Sequence, residues 1–181
     1  MMRIIAGKAR GKKLLTLAGE DTRPTLERIK QSLFSALQFE LEGRRVLDLF
    51  AGSGQLGLEA LSRGAECCWF NDSSKNAMEI VRKNILACGF EKNVKESCMD
   101  GITCVKMIER AGFRPNLVFL DPPYHGPLLQ QVLDLLPDLL EEGAIVVAET
   151  DGEEQFTYEG LSLRKEYRYG SVKLTVMEKR G

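Results

Sequence analysis

Residues 47–57, LDLFAGSGQLG, decide how the rest of the chain is read. RRVLDLF (44–50) is a short apolar run of the kind that fills a strand buried on both faces. Directly after it Gly52, Gly54 and Gly57 form G-x-G-x-x-G, and a helical pattern opens at Gln55 and runs to Arg63. A glycine-rich turn between a strand and a helix lets the backbone bend tightly and lets a ligand lie against bare peptide groups. Asp72 ends the next apolar run, CCWFND (67–72), twenty residues beyond Gly52, where a carboxylate can accept both hydroxyls of a ribose.

Outward from this unit the strand–helix alternation continues. Ser74–Gly89 reads as a helix with Ala77, Ile80, Val81, Ile85 and Leu86 inward, followed by a weaker strand VKESCMD (94–100) and a helix near 101–111. NLVFLD (116–121) is a buried strand, Pro127–Leu140 a helix and AIVVAE (144–149) another strand. The tail, LSLRKEYRYGSVKLTVMEK, alternates with period two on either side of Gly170-Ser171, the pattern of an antiparallel hairpin. Before the glycine unit, TRPT (22–25) marks a helix start, and Leu26, Ile29, Leu33, Leu37 and Leu41 recur at helical spacing. Arg28 and Lys30 fall off that stripe and are expected to face solvent. The pattern predicts a single α/β domain with a mostly parallel, seven-stranded sheet, helices on both faces and an antiparallel hairpin at its end.

Which nucleotide such a loop serves depends on Asp48. An acid leading into the loop sits poorly beside a pyrophosphate, which favours the positive end of a helix. It suits the cationic amino group of S-adenosylmethionine. Asp100 ends the third strand at the same edge of the sheet and is placed to accept from the adenine amine. At the end of the fourth strand stands Asp121-Pro122-Pro123-Tyr124. Two prolines fix φ and contribute no N–H, so the Asp121 carboxylate and the Pro122 carbonyl are acceptors set in a rigid relation. An exocyclic amine on a base needs such acceptors, because its lone pair is delocalised into the ring until its hydrogens are held, and an aromatic face beside them can stack the base. His125 reads as a structural or exposed turn residue. An oxidoreductase binding NAD(P) through the same glycines remains an alternative, although it has no use for DPPY.

Charge narrows the partners. Residues 1–45 carry ten Lys and Arg against five acids, whereas the whole chain has a net charge of −1. A basic first quarter on an acidic body points to a face made for a polyanion. The five cysteines form no CxxC pair and there is one histidine, so they read as buried, reduced thiols and no metal site is expected. MMRIIAGKARGKK puts charge where an export signal would be apolar, which leads us to expect a cytoplasmic protein without a membrane partner.

Taken with MRIIAGKARGKKL (2–14), DTRPTLERIKQSLFSAL (21–37), LDLFAGSGQLGLEALSRGA (47–65), the Asn84 segment RKNI and LDPPY (120–124), the chain resembles class I S-adenosylmethionine-dependent methyltransferases. Within them it resembles the RsmD-type bacterial family that methylates guanine N2 in 16S rRNA. The class motifs alone would leave an adenine-N6 DNA methyltransferase open; the arm and the TRPT helix start favour the rRNA family. The resemblance implies a Rossmann-like fold in which Asp48, Phe50, Gly52, Gly54, Asp72, Ser73, Asp100 and Gly101 hold the cofactor. It implies that Asp121, Pro122, Pro123 and Tyr124 hold the guanine, and that Arg3, Lys8, Arg10, Lys12, Arg23 and Arg28 meet RNA. Residues 1–25 would be an RNA-contacting arm and 26–181 the methyltransferase domain, acting as a monomer on a partly or fully assembled small subunit. Ser74 stands where family members often carry a second acid.

Overall fold

The computed structural model describes residues 1–19 and 24–181. Strands β1 (Arg45–Asp48), β2 (Cys67–Asn71), β3 (Val94–Ser97), β4 (Leu117–Leu120), β5 (Ile145–Asp151), β6 (Leu161–Tyr169) and β7 (Val172–Lys179) form one sheet in the order β3-β2-β1-β4-β5-β7-β6. β1 pairs in parallel with β2 and β4, and β4 in parallel with β5. β7 turns antiparallel against β5, and β6 closes the hairpin through Gly170-Ser171, with Gly170 at φ 61°. The expected sheet is therefore observed, hairpin included. Its two outermost strands are only partly buried: β3 alternates little, and β6 carries Arg164, Lys165, Glu166 and Arg168 along an open edge. Such charges discourage pairing with another chain.

Helices α1 (Pro24–Leu37), α2 (Gln55–Ser62) and α3 (Lys75–Cys88) cover one face; α4 (Gly101–Arg110) and α5 (Leu128–Leu139) cover the other. Alternate residues of the strands feed two separate cores. Val46, Leu117, Phe119, Ile145 and Val147 pack under α1–α3, while Leu47, Val118, Leu120, Val146 and Ala148 pack under α4 and α5. Met2, Ile4, Ala9 and Leu14 belong to the first core, so the basic N-terminal segment is seated on the domain and not loosely attached to it.

Four expectations need correction. Leu41 is buried but lies beyond the end of α1, because the helix stops at Leu37 and the chain turns back toward β1. Leu86 is 62% exposed, since the inward face of α3 is completed by Asn84 and Ile85. Cys98, just past the edge strand β3, is exposed, and Cys67 and Cys88 are only partly covered. Lys30 is 4% exposed and does not face solvent. Its ammonium lies 3.1 Å from Glu59 Oε2, a carboxylate buried on α2. Burial is affordable for both only because they are paired.

Candidate active site

The chain runs β1, β2, β3 in one direction and then crosses to the other side of β1 to make β4. Ligands in open α/β sheets bind at such a reversal, beyond the carboxyl ends of the strands. A cavity of about 300 Å³ lies there, lined by the β1 exit (Asp48, Phe50, Ala51, Gly52, Ser53), the start of α2 (Gln55, Leu56), the β2 exit (Asp72, Ser73), the β4 exit (Asp121, Pro122, Pro123) and Leu17.

The glycine loop is held by carboxylates on both sides. Gly52 N–H donates to Asp72 Oδ2 at 2.9 Å, and Ser74 N–H donates to Asp72 Oδ1 at 2.9 Å. A carboxylate offers about four acceptor sites, so two backbone bonds leave capacity for a diol. Asp48 is 2% exposed and its Oδ2 accepts the Gly57 N–H at 3.0 Å. Burial, partly offset by that bond, pushes its carboxyl up to about 7. Gly54 precedes α2 at φ 80°, a conformation that disfavours any other residue. Gly57 is required for a different reason: a Cβ there would lie 2.4 Å from the Phe70 ring and 2.7 Å from Cys68 Sγ. Its bareness sets how closely α2 approaches β2.

Ser74, in the place of a second acid, caps α3 by accepting from Ala77 N–H at 3.2 Å. Asn71, buried, donates to Leu49 O and Met99 O and accepts from Ser97 Oγ, tying the exits of β1, β2 and β3 together. Asp100 and Gly101 lie outside the cavity lining. Asp100 is the exposed N-cap of α4, accepting from Thr103 N–H at 2.9 Å, and its hydrogen bonds with Thr103 hold its carboxyl below the ordinary range. Gly101 is buried against Phe50, whose ring would lie 3.0 Å from an added Cβ, so Gly101 seats the aromatic that lines the cavity.

Tyr124 is 42% exposed, beside the cavity and not in its wall. Its hydroxyl donates to Glu149 Oε1 at 3.1 Å. Desolvation and the charge of Glu149 push the phenol up; burial likewise raises Glu149. The sequence reading did not single out Glu149, although an acid closing the apolar run AIVVAE at the same sheet edge as Asp48 and Asp121 was the available signal. His125 is exposed at φ 62°, with Nε2 at 3.2 Å from Asp151 Oδ2, which fits a turn residue.

Arg3, Lys8, Arg10 and Lys12 are exposed, as is Arg28 on α1; Arg23 lies outside the described residues. What the sequence did not reveal is how the segment bearing them is held. Buried Glu59 accepts from the N–H groups of Ile5 (2.9 Å) and Ala6 (3.1 Å), while Ser62 Oγ donates to Ala6 O and accepts from Ala9 N–H. Asn84 exchanges hydrogen bonds with both the N–H and the carbonyl of Leu15, and also donates to Ser53 O in the glycine loop. The basic segment and the glycine loop therefore share an anchor. Among the described residues, no helix is long and apolar enough to cross a membrane, and no group of three or more acids, cysteines or histidines could hold a metal ion.

The family model described as "Conserved hypothetical protein 95" matches residues 2–178. A Bacillus subtilis protein provisionally named as an rRNA methyltransferase, YlbH, is 37% identical over 186 residues, covering 99% of this chain and all of that protein. Ribosomal RNA small subunit methyltransferase D of Haemophilus influenzae is 37% identical, over 94% of this chain and 90% of its own length. A solved Escherichia coli structure, yhhF, provisionally described as a methyltransferase, superposes with a TM-score of 0.84 at 29% identity over 99% of this chain and 98% of that one. A glycine loop braced by two carboxylates, opening on the exit of a DPPY strand, thus occurs in a chain that belongs to the conserved hypothetical protein 95 family, the RsmD-type S-adenosylmethionine-dependent methyltransferases.

Proposed function

We propose that the protein transfers a methyl group from S-adenosylmethionine to the exocyclic N2 of a guanine in bacterial 16S rRNA, within an assembled or partly assembled small subunit. The observation that carries this reading is one cavity walled by both the braced glycine loop and Asp121-Pro122-Pro123. The names of the relatives, which specify rRNA and the small subunit, support the substrate class.

In this reading Asp48 faces the cofactor's amino group, Gly52 and Gly54 present bare backbone to its methionine end, and Phe50, Ser73 and Gly101 complete the site. Asp72 takes the ribose and Asp100 the adenine amine. The cofactor supplies an electrophilic methyl on a sulfonium sulfur. Asp121 and the Pro122 carbonyl hold the N2 hydrogens and orient the amine, Pro123 stiffens the turn, and Tyr124 stacks on the base. With the cofactor bound, its sulfonium would supply the methyl to the N2 lone pair and keep the C–S electron pair, while Asp121 would accept one N2 proton and pass it to water. Orientation of the amine is the main contribution of these groups. A paired base must be turned out of its helix to reach the crevice. Residues 1–25 act as the RNA-contacting arm and residues 26–181 as a monomeric methyltransferase domain; the basic arm binds phosphate through Arg3, Lys8, Arg10, Lys12 and Arg23, helped by Arg28.

The test is transfer of labelled methyl to small subunits from a strain lacking this activity, followed by nucleoside analysis. N2-methylguanosine at one position is expected; N6-methyladenosine, or no transfer, would overturn the reading. Cofactor binding has its own signature. Because Asp48 titrates near 7 when the cavity is empty and a cation favours its ionised form, binding should release a proton below about pH 7. Affinity for S-adenosylmethionine should therefore rise with pH below about 7, by up to about tenfold per unit, and level off above it. Calorimetry in buffers of different ionisation enthalpy measures this, and Asp48→Asn should flatten the profile.

A further inference from the structure

Glu149 has no part in the mechanism above, yet it is placed as a recognition group. β4 and β5 run parallel with Leu120 opposite Ala148, so the chain leaves β4 at Asp121 directly beside Glu149. Alternation along β5 puts Glu149 on the same face as Ile145 and Val147, toward α1 and α2. There it lines a small recess with Ile29, Lys30, Leu33, Gln55 and Leu56. Gln55 and Leu56 also line the cofactor cavity, so the recess and the cavity adjoin. The Tyr124 hydroxyl donates to Glu149 Oε1 at 3.1 Å. That bond occupies one acceptor site of a carboxylate that offers about four. A half-buried acid in a largely apolar recess costs free energy that one phenol bond offsets only partly.

The Watson–Crick edge of guanine presents two adjacent donors, N1–H and the N2 amine, where adenine presents an acceptor at N1. Flipped bases are read along this edge. We propose that Glu149 selects guanine: its carboxylate accepts the N1–H while Asp121 and the Pro122 carbonyl hold N2, and Tyr124 fixes its orientation. This rests on the guanine-N2 reading given above. A base lacking the N1 proton would set its N1 lone pair against the carboxylate and be rejected, since a buried polar group left without its partner is costly.

The experiment uses small subunits reconstituted with guanine or 2-aminopurine at the modified position. 2-Aminopurine keeps the exocyclic amine but carries a lone pair at N1. The unaltered enzyme should prefer guanine in kcat/KM. Glu149→Gln offers an amide donor to that lone pair and should narrow the preference by roughly tenfold or more, with S-adenosylmethionine affinity unchanged. An equal fall on both bases, or an unchanged ratio, would overturn the role of Glu149. Absence of any transfer to guanine by the unaltered enzyme would instead overturn the underlying reading, and this inference with it. If Glu149→Gln does not fold, Tyr124→Phe keeps the ring but releases the carboxylate. It should lower the ratio severalfold, and an unchanged ratio in that folded variant is equally decisive against the assignment.

Discussion

Asp121→Ala should lower methyl transfer to small subunits by at least about a hundredfold, the usual loss when one preorganised polar group at a reacting centre is removed. By transition-state arithmetic that is about 2.7 kcal/mol. S-adenosylmethionine affinity should change only severalfold, because the proposed cofactor contacts are Asp48, Asp72 and the glycine backbone, which line the cavity beside Asp121. Single-turnover transfer and calorimetry on the same preparation separate the two quantities. Full activity in the variant would remove Asp121 from the amine site, and loss of cofactor binding would move it to the cofactor site.

Glu59→Ala should destabilise the fold by about 3–5 kcal/mol, the range for breaking a buried ion pair from one side. Glu59 is fully buried, bridges Lys30 and Arg63, and accepts from Ile5 and Ala6. Without it the Lys30 ammonium stays in the core beside Arg63. Burial already holds Lys30 below its usual value, and the attraction of Glu59 opposes that shift. In the variant Lys30 falls further, the unfolded chain binds more protons than the folded one, and stability should rise with pH through the neutral and alkaline range. A denaturant midpoint measured at several pH values reads both effects. Adding Lys30→Met should recover much of the loss, since an apolar side chain needs no partner. Where the variant stays folded, transfer to subunits should suffer more than cofactor binding, because the segment carrying Arg3, Lys8 and Arg10 loses two of its backbone anchors.

The glycine loop was legible because it is local. Strand, turn and helix lie within twenty residues, and glycine is demanded by backbone geometry that a sequence displays directly. The acids at the β1, β2 and β4 exits were legible for a related reason: in a parallel sheet successive strand ends share one edge, so position in a repeating pattern fixes position in space. Asp100 shows where that reasoning weakens. Its place at the β3 exit was foreseen, but the same carboxylate is the N-cap of α4, and an exit residue that caps a helix looks identical in sequence to one facing a ligand. Lys30 shows where it failed. Helical phase put it off the apolar stripe, and only the arrival of α2 with Glu59 on that flank made its burial tolerable.

The sheet, its hairpin, the glycine loop and the DPPY exit could all be read from the sequence, because each follows from periodicity, turn chemistry and spacing within short stretches. The tertiary structure alone decided which distant groups meet: Glu59 with the arm, Asn84 with both Leu15 and Ser53, and Glu149 with Tyr124. These pairs are separated along the chain by 25 to 69 residues. Their encounter depends on how helices pack and strands register, which local preference does not encode.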